Sequence, residues 1–391
     1  MNNKIITGLL VAVLVVFGGW LFLSGKNSTS ENQTGGSDAT KVSSGKDSEP
    51  KSGEKIYVAL EEEGKVAVID ALSRQVSARI DLSEENSGMR VEYMPHNVQV
   101  APDGKTVWVA ANVMEDSMKG MEGMKEKSDG IPDQVIVIDP ISDSVIKRIP
   151  IGEESHLAHV VVAPDGRTVY VTSQEKGEVY KINSKTFALE NNISLGAGTG
   201  PHGLRLSVDG SKAFIALVGG KGLAVLDTKT GAVKKYPADS GAVQTAVTRD
   251  GKYAFASLYT TKQVMRFDIA SGEITKINLP EGAKGPVQLY ATPDSRFLYV
   301  ADQGYYFDQP TSTLVYRIDV EKSVVDQTIS AGTAPHGIVA DKEGKFVYLT
   351  NLLSDDVSVI DVALSKEIAR IPVGKMPNGI SVWSESLGGT P

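Results

Sequence analysis

Nine methionines and five histidines, with no cysteine, supply the soft and borderline metal-ligating groups of this 391-residue chain. Four methionines fall in one polar stretch, NVMEDSMKGMEGMKEKSDGIPD, as Met114, Met118, Met121 and Met124. Met94 stands two positions before His96 in YMPH, and Met376 takes the corresponding place in KMPN. Methionine in a polar segment has no packing reason to be there. Thioether sulfur is a soft ligand that selects Cu(I), and imidazole extends such a site to Cu(II), so His96, Met94, Met114, Met118, Met121, Met124 and Met376 form a candidate copper site. The alternative is a soft contact surface or lid made by the same Met, Lys, Glu and Gly residues. Zero cysteines remove disulfides, thiolate zinc sites, iron–sulfur clusters, cysteine nucleophiles and covalent haem attachment.

The elements that would position these groups are short strands. The chain exceeds the roughly 250–300 residues at which one hydrophobic core stops growing, and 39 Gly with 17 Pro imply many turns. From residue 55 a unit recurs. Its marker is a strand ending in an acidic or amide residue: VAVID, VIVID, VYKIN, LAVLD, VMRFD, VYRID and VSVID, at 66–70, 135–139, 179–183, 223–227, 264–268, 315–319 and 357–361. Before each comes a β-branched and aromatic run such as TVWVAAN, TVYVTS or VYLTN. Earlier still come an apolar strand and an Asp-Gly-type turn, as in HNVQVAPDGK and HGLRLSVDGS, which supplies the positive-φ residue of a hairpin. Four antiparallel strands per unit of about 47 residues, seven times over, predict an all-β, seven-bladed β-propeller. The first unit lacks its innermost strand and the last, MPNGISVW, is that strand alone, so the C-terminal strand completes the N-terminal blade.

PHGLRLSVDG, TVYVTS and VSVID resemble the YVTN family of seven-bladed propellers, with a match over about residues 55–383. The resemblance implies the fold more than an activity. Relatives of that family include cell-envelope proteins, lactonases, the haem-binding propeller of nitrite reductases, and nitrous oxide reductase. In such a propeller the loops entering the inner strand and those joining the second and third strands share one face. Aligning the units on their turns puts His96, Ala158, His202, Val243, Val287, His336 and Asn378 at one position, where each inner strand begins. His96, His202 and His336, with Arg205 further along its strand, are therefore the candidate cofactor-binding residues. The competing reading is that each His only fixes its own turn, and for His156 and His159 a local polar contact is expected. The insertion DQGYYFDQPTST at 302–313 reads as a recognition loop, and EEEG at 61–64 as a solvated acidic turn.

Residues 1–24 contain an uncharged apolar run, residues 5–24, long enough to cross a bilayer once as a helix. It reads as a signal anchor, a transmembrane helix that holds the rest outside the cytoplasm. Residues 25–54 form a flexible linker, 55–385 the propeller and 386–391 a tail. Net charge −8, without a basic stripe, argues against nucleic acid as a partner. The expectation is a monomeric, membrane-tethered binding protein at the cell surface or in the periplasm. Its expected partner is an envelope protein or small molecule on the loop face, with copper ahead of haem as cofactor. A redox enzyme or lactonase-like hydrolase is the alternative; nitrous oxide reductase chemistry needs more histidines than five.

Overall fold

A computed structural model describes residues 53–114 and 130–384. The apolar run at 5–24, nearly all of the linker, the C-terminal tail, and Met118, Met121 and Met124 lie outside the described residues. Among those residues no helix is long and apolar enough to cross a membrane. The first strand, Glu54–Leu60, begins one residue inside the expected linker, and the last, Pro377–Ser384, stops just short of the expected boundary.

Seven four-stranded antiparallel sheets follow one another along the chain. Closure is as the end units predict. Pro377–Ser384 pairs with Glu54–Leu60 as the innermost strand of the first blade, so both chain ends of the ring are held by one ladder of main-chain hydrogen bonds. Trp383 locks that seam: its side chain is buried and its Nε1 donates to the Gly104 carbonyl of the second blade at 2.7 Å. An eighth, two-stranded sheet, Glu84–Asn86 with Met89–Val91, occupies the long connection into the second blade.

The apolar residues answer the question that chain length raises about the core. Both faces of each sheet are apolar, as in Tyr57, Val58 and Ala59 of one strand, so the core is divided among the blade interfaces. One cluster joins Val66, Val98 and Ile136 of the first two blades; another joins Ile56, Tyr348 and Val359 of the last and the first. Each fully buried Val, Ile or Leu contributes about 1.5–3 kcal/mol from removal of its surface from water, and the stacking supplies what no blade can supply alone.

The inner strands carry one recurrent irregularity. Pairing with the second strand slips at Pro95/Asn97, Leu157/Val160, Pro201/Leu204, Ala242/Thr245, Pro286/Leu289 and Pro335/Ile338, and again where the closing strand meets Glu54–Leu60, between Val58 and Leu60 of the latter. A bulge re-aims side chains and leaves a backbone N–H without its ladder partner. The Thr or Ser of the second strand repairs this. Thr172 Oγ1 accepts from His159 N at 2.9 Å and donates to the His202 carbonyl of the next blade at 2.7 Å. Ser257 bridges Gln244 N to Val287 O, and Thr350 bridges Gly337 N to Asn378 O, in the same way. The Thr of the Tyr-Val-Thr run is thus a clamp between blades at the bulge.

Candidate functional site

The bulge level is where the histidines stand, and it brings them together. His96 and His202 rings lie 5.3 Å apart between centroids, His159 and His202 5.6 Å, and His96 and His156 6.0 Å. His156 and His159 were expected to make only local contacts, yet both belong to this cluster. His336, on the far side, packs edge-on against Tyr306 at 5.7 Å.

Glycine sets how closely the inner strands approach here. A Cβ on Gly203 would run into the side chain and backbone of Gln244, and one on Gly379 into the backbone of His96, Asn97 and Val98. Where the repeat has no Gly, the position carries Asn97, His159, Gln244 or Gln288. Three of these link up: Gln244 Nε2 contacts His159 Nε2 at 3.1 Å and donates to Gln288 Oε1. Burial holds His159 and His202 well below the usual imidazole range, with the nearby positive charges of Arg205 and of neighbouring rings acting in the same direction. His336 is pushed down to about 3 by burial and by His96.

Glu61 changes the picture of this level. Its turn was expected to be a solvated acidic loop, but Glu61 is buried, while Glu62 beside it is exposed. Two short 3-10 turns, Glu61–Glu63 and Tyr305–Phe307, lie in the connections between the second and third strands of their blades. The first delivers the Glu61 carboxylate, which accepts from His96 Nδ1 at 2.6 Å, Asn378 Nδ2 at 2.8 Å and Tyr306 OH at 3.3 Å. The second delivers Tyr306. The turn at Tyr306 also carries Gln303, whose Nε2 meets His336 Nδ1 at 2.7 Å. His336 Nε2, buried, has no hydrogen-bond partner among the described residues.

The partners assign the tautomers. His96 Nδ1 faces a carboxylate, an acceptor, and so carries the proton; His202 Nδ1 donates to the Val243 carbonyl at 3.0 Å. In neutral rings both Nε2 atoms then hold lone pairs, and these two atoms face each other at 3.3 Å. Two lone pairs repel across that distance. A proton or a metal ion between them removes the conflict. Two nitrogens bound tetrahedrally at about 2.0–2.1 Å stand about 3.3 Å apart, and acceptors behind each Nδ1–H are how proteins orient imidazole ligands.

The methionines divide. Met94 and Met114 are half-buried in the corner formed by the second blade and the Glu61 turn, and Gly64 of that turn lies beside Met114 Sδ. The Met376 carbonyl accepts from Glu61 N at 3.1 Å, with Met376 itself in the left-handed region at φ 48°. Met89 is exposed on its hairpin. Among the described residues no three His, Asp or Glu side chains converge ready for a metal, so an ion at His96 and His202 would need its other ligands from sulfur, carbonyl or water. Arg205 lies deeper in the channel, its Nη1 bonded to Leu204 O at 2.8 Å and 3.5 Å from His159 Nδ1.

Comparisons with known proteins fit this geometry at the level of architecture. Residues 278–370 match the family described as Lactonase, 7-bladed beta-propeller. A 102-residue stretch is 28% identical to 6-phosphogluconolactonase of Blochmanniella pennsylvanica, covering 26% of this chain and 28% of that protein. The chain therefore spans under a third of the curated relative it matches. Among solved structures, virginiamycin B lyase of Staphylococcus aureus superposes with TM-score 0.57 at 16% identity, over 71% of this chain and 84% of that one. AztD of Citrobacter koseri superposes with TM-score 0.57 at 15% identity, over 85% and 98%. Hydrazine synthase of Kuenenia stuttgartiensis gives 0.56 at 20%, over 73% and 89%. What is shared is the propeller. The seven blades implied by the repeat resemblance are borne out, and identities this low carry the fold alone.

Proposed function

We propose that this chain is an extracytoplasmic binding propeller, tethered by the apolar run at residues 5–24, that holds a transition-metal ion, copper first, at the mouth of its channel. The observation that carries the reading is the pair of facing Nε2 atoms of His96 and His202, 3.3 Å apart, with each Nδ1 already committed. Glu61 supports it as the carboxylate behind His96, burial, with Arg205 second, as what lowers the His159 pKa, and Met94, Met114 and Met376, on the segments flanking Glu61 and His96, as thioethers that would favour Cu(I) over harder ions. Met118, Met121 and Met124, outside the described residues, follow Met114 in the sequence and would add sulfur. His336 Nε2, buried and without a partner among the described residues, is a further polar atom left open at this level.

Titration of the full chain with Cu(I) and with Zn(II), under competition from a chelator of known affinity, tests the reading. Binding tighter than micromolar that is lost in His96→Gln and in His202→Gln is expected. Retained affinity in both variants, or no binding by the parent chain, would sink it. Replacing Met94, Met114 and Met376 together by Leu should weaken Cu(I) and leave Zn(II) unchanged; equal loss for both ions would remove the thioethers from the site.

A second reading, a lactone hydrolase, has the matched segment 278–370 in its favour. That segment holds Gln303, Tyr306 and His336 but none of Glu61, His96, His159, His202 or Arg205, so it covers the repeat and only one side of the site. Turnover of simple lactones abolished by His159→Gln would support hydrolysis over binding.

A further inference from the structure

The channel has a second level. Three positions beyond the histidines along each inner strand, His96 is followed by Gln99, His202 by Arg205, Val287 by Tyr290 and Asn378 by Ser381. These residues and Arg249 line the cavity of about 200 Å3, whose remaining walls are aliphatic. Arg249 sits in the turn where its inner strand ends and is exposed, so the cavity opens on the face opposite the histidine mouth.

The charge of this cavity is one-sided. Both arginines are permanently cationic, and none of the residues lining the cavity is acidic, in a chain whose net charge is −8. Arg205 Nη1 meets the carbonyl of its own neighbour Leu204 at 2.8 Å and, at 3.5 Å, His159 Nδ1, while its Nε and Nη2 have no acceptor among the described residues. The side chains of Arg249, Gln99 and Tyr290 make no hydrogen bond among the described residues. Asp341, close enough to act on Tyr290, accepts from the backbone of Lys345 and Phe346, and Asp250 accepts from Thr248 and Lys252. A walled cation without a counter-charge is costly, and a guanidinium fork beside a second arginine, an amide and a phenol is a donor set that a carboxylate or phosphate satisfies.

We propose that the deep channel cavity is a binding site for a small oxyanion, with Arg205 and Arg249 as the charge-bearing ligands and Gln99 and Tyr290 as neutral donors. The volume, below the roughly 300–1,000 Å3 of pockets for drug-sized molecules, restricts the ligand to a small carboxylate or phosphate compound. The site uses neither His96 nor His202, and Arg205, which also faces His159, is the residue it shares with the metal reading.

Calorimetric titration of the full chain with inorganic phosphate, with succinate and with uncharged succinamide tests it. Phosphate or succinate should bind with an affinity that falls as salt is raised, and succinamide should not bind. Preference between the two anions tells which oxyanion chemistry the cavity takes. Arg205→Gln and Arg249→Gln should each weaken anion binding at least about tenfold, the scale of a lost charge-assisted hydrogen bond. Arg249 is exposed, so its variant folds whatever becomes of the other. No binding of either anion, or binding unaltered in both arginine variants, would overturn the proposal.

Discussion

Two levels of one channel, three residues apart on the same strands, solve the problem of polar side chains inside a protein in opposite ways. At the histidine level nearly every polar group has a partner within the protein: Glu61 serves three donors, and His159, Gln244 and Gln288 form a chain. The exceptions there are the facing nitrogens of His96 and His202 and the unpartnered Nε2 of His336. At the arginine level the cavity walls are aliphatic and the charged groups have no acidic partner. The difference shows that scaffold and ligand chemistry are separable. The bulge, the Thr clamp and the close strand approach build the first level whether or not a ligand binds, while the second level is built only as far as a ligand would need it.

The sharpest way to break the first level is through its spacing. Gly203→Ala inserts a methyl group into the side chain and backbone of Gln244, and a loss of about 3 kcal/mol or slightly more is expected in urea unfolding, at the upper end of overpacking costs. Loss below about 0.5 kcal/mol would show that the strands are not held at that distance.

The contrast itself is tested by removing polar groups from each level. Gln244→Leu strands His159 and Gln288 without their partner and should cost about 1–3 kcal/mol. Arg205→Met removes a cation that has no counter-charge, so stability measured without added anions should stay the same or rise by up to ~1 kcal/mol. If both substitutions destabilise alike, the arginine is structural and the two levels do not differ.

Acidity reads the first level selectively. His336 has a folded value of about 3 against an ordinary imidazole near 6.5, so the unfolded chain takes up its proton first. Its contribution is fully present above pH ~6.5 and declines as pH falls towards 3. His159 and His202, depressed in the same direction, add to the slope. A His336→Gln variant should show a shallower decline over that window in denaturant titrations at fixed pH. An unchanged slope would mean that His336 is not held neutral.

Much of this was legible in the residues. The seven blades follow from strand markers at a steady spacing and from hairpin turns, because alternation and turn chemistry are local properties. The closure follows from the incomplete first and last units. His96, His202 and His336 were placed at one level by aligning the turns, since their positions depend only on the repeat. Glu61 was not legible: three consecutive glutamates look equally solvated, and only the direction of a one-turn helix puts the first inside and the second outside. Gln303 escaped for the same reason, being one residue into an insertion whose path no repeat dictates. Gln244 and Gln288 were visible as polar residues beside His159, but their chain depends on how near the strands come, which Gly203 determines from the neighbouring blade.

The central claim, that His96 and His202 share one metal ion, is tested most directly by X-ray absorption at the metal edge of the full chain loaded with one equivalent of copper. The account predicts two imidazole nitrogens at about 2.0 Å, with one imidazole lost in His202→Gln. A first shell without imidazole scattering, or one identical in the parent and His202→Gln, would contradict it.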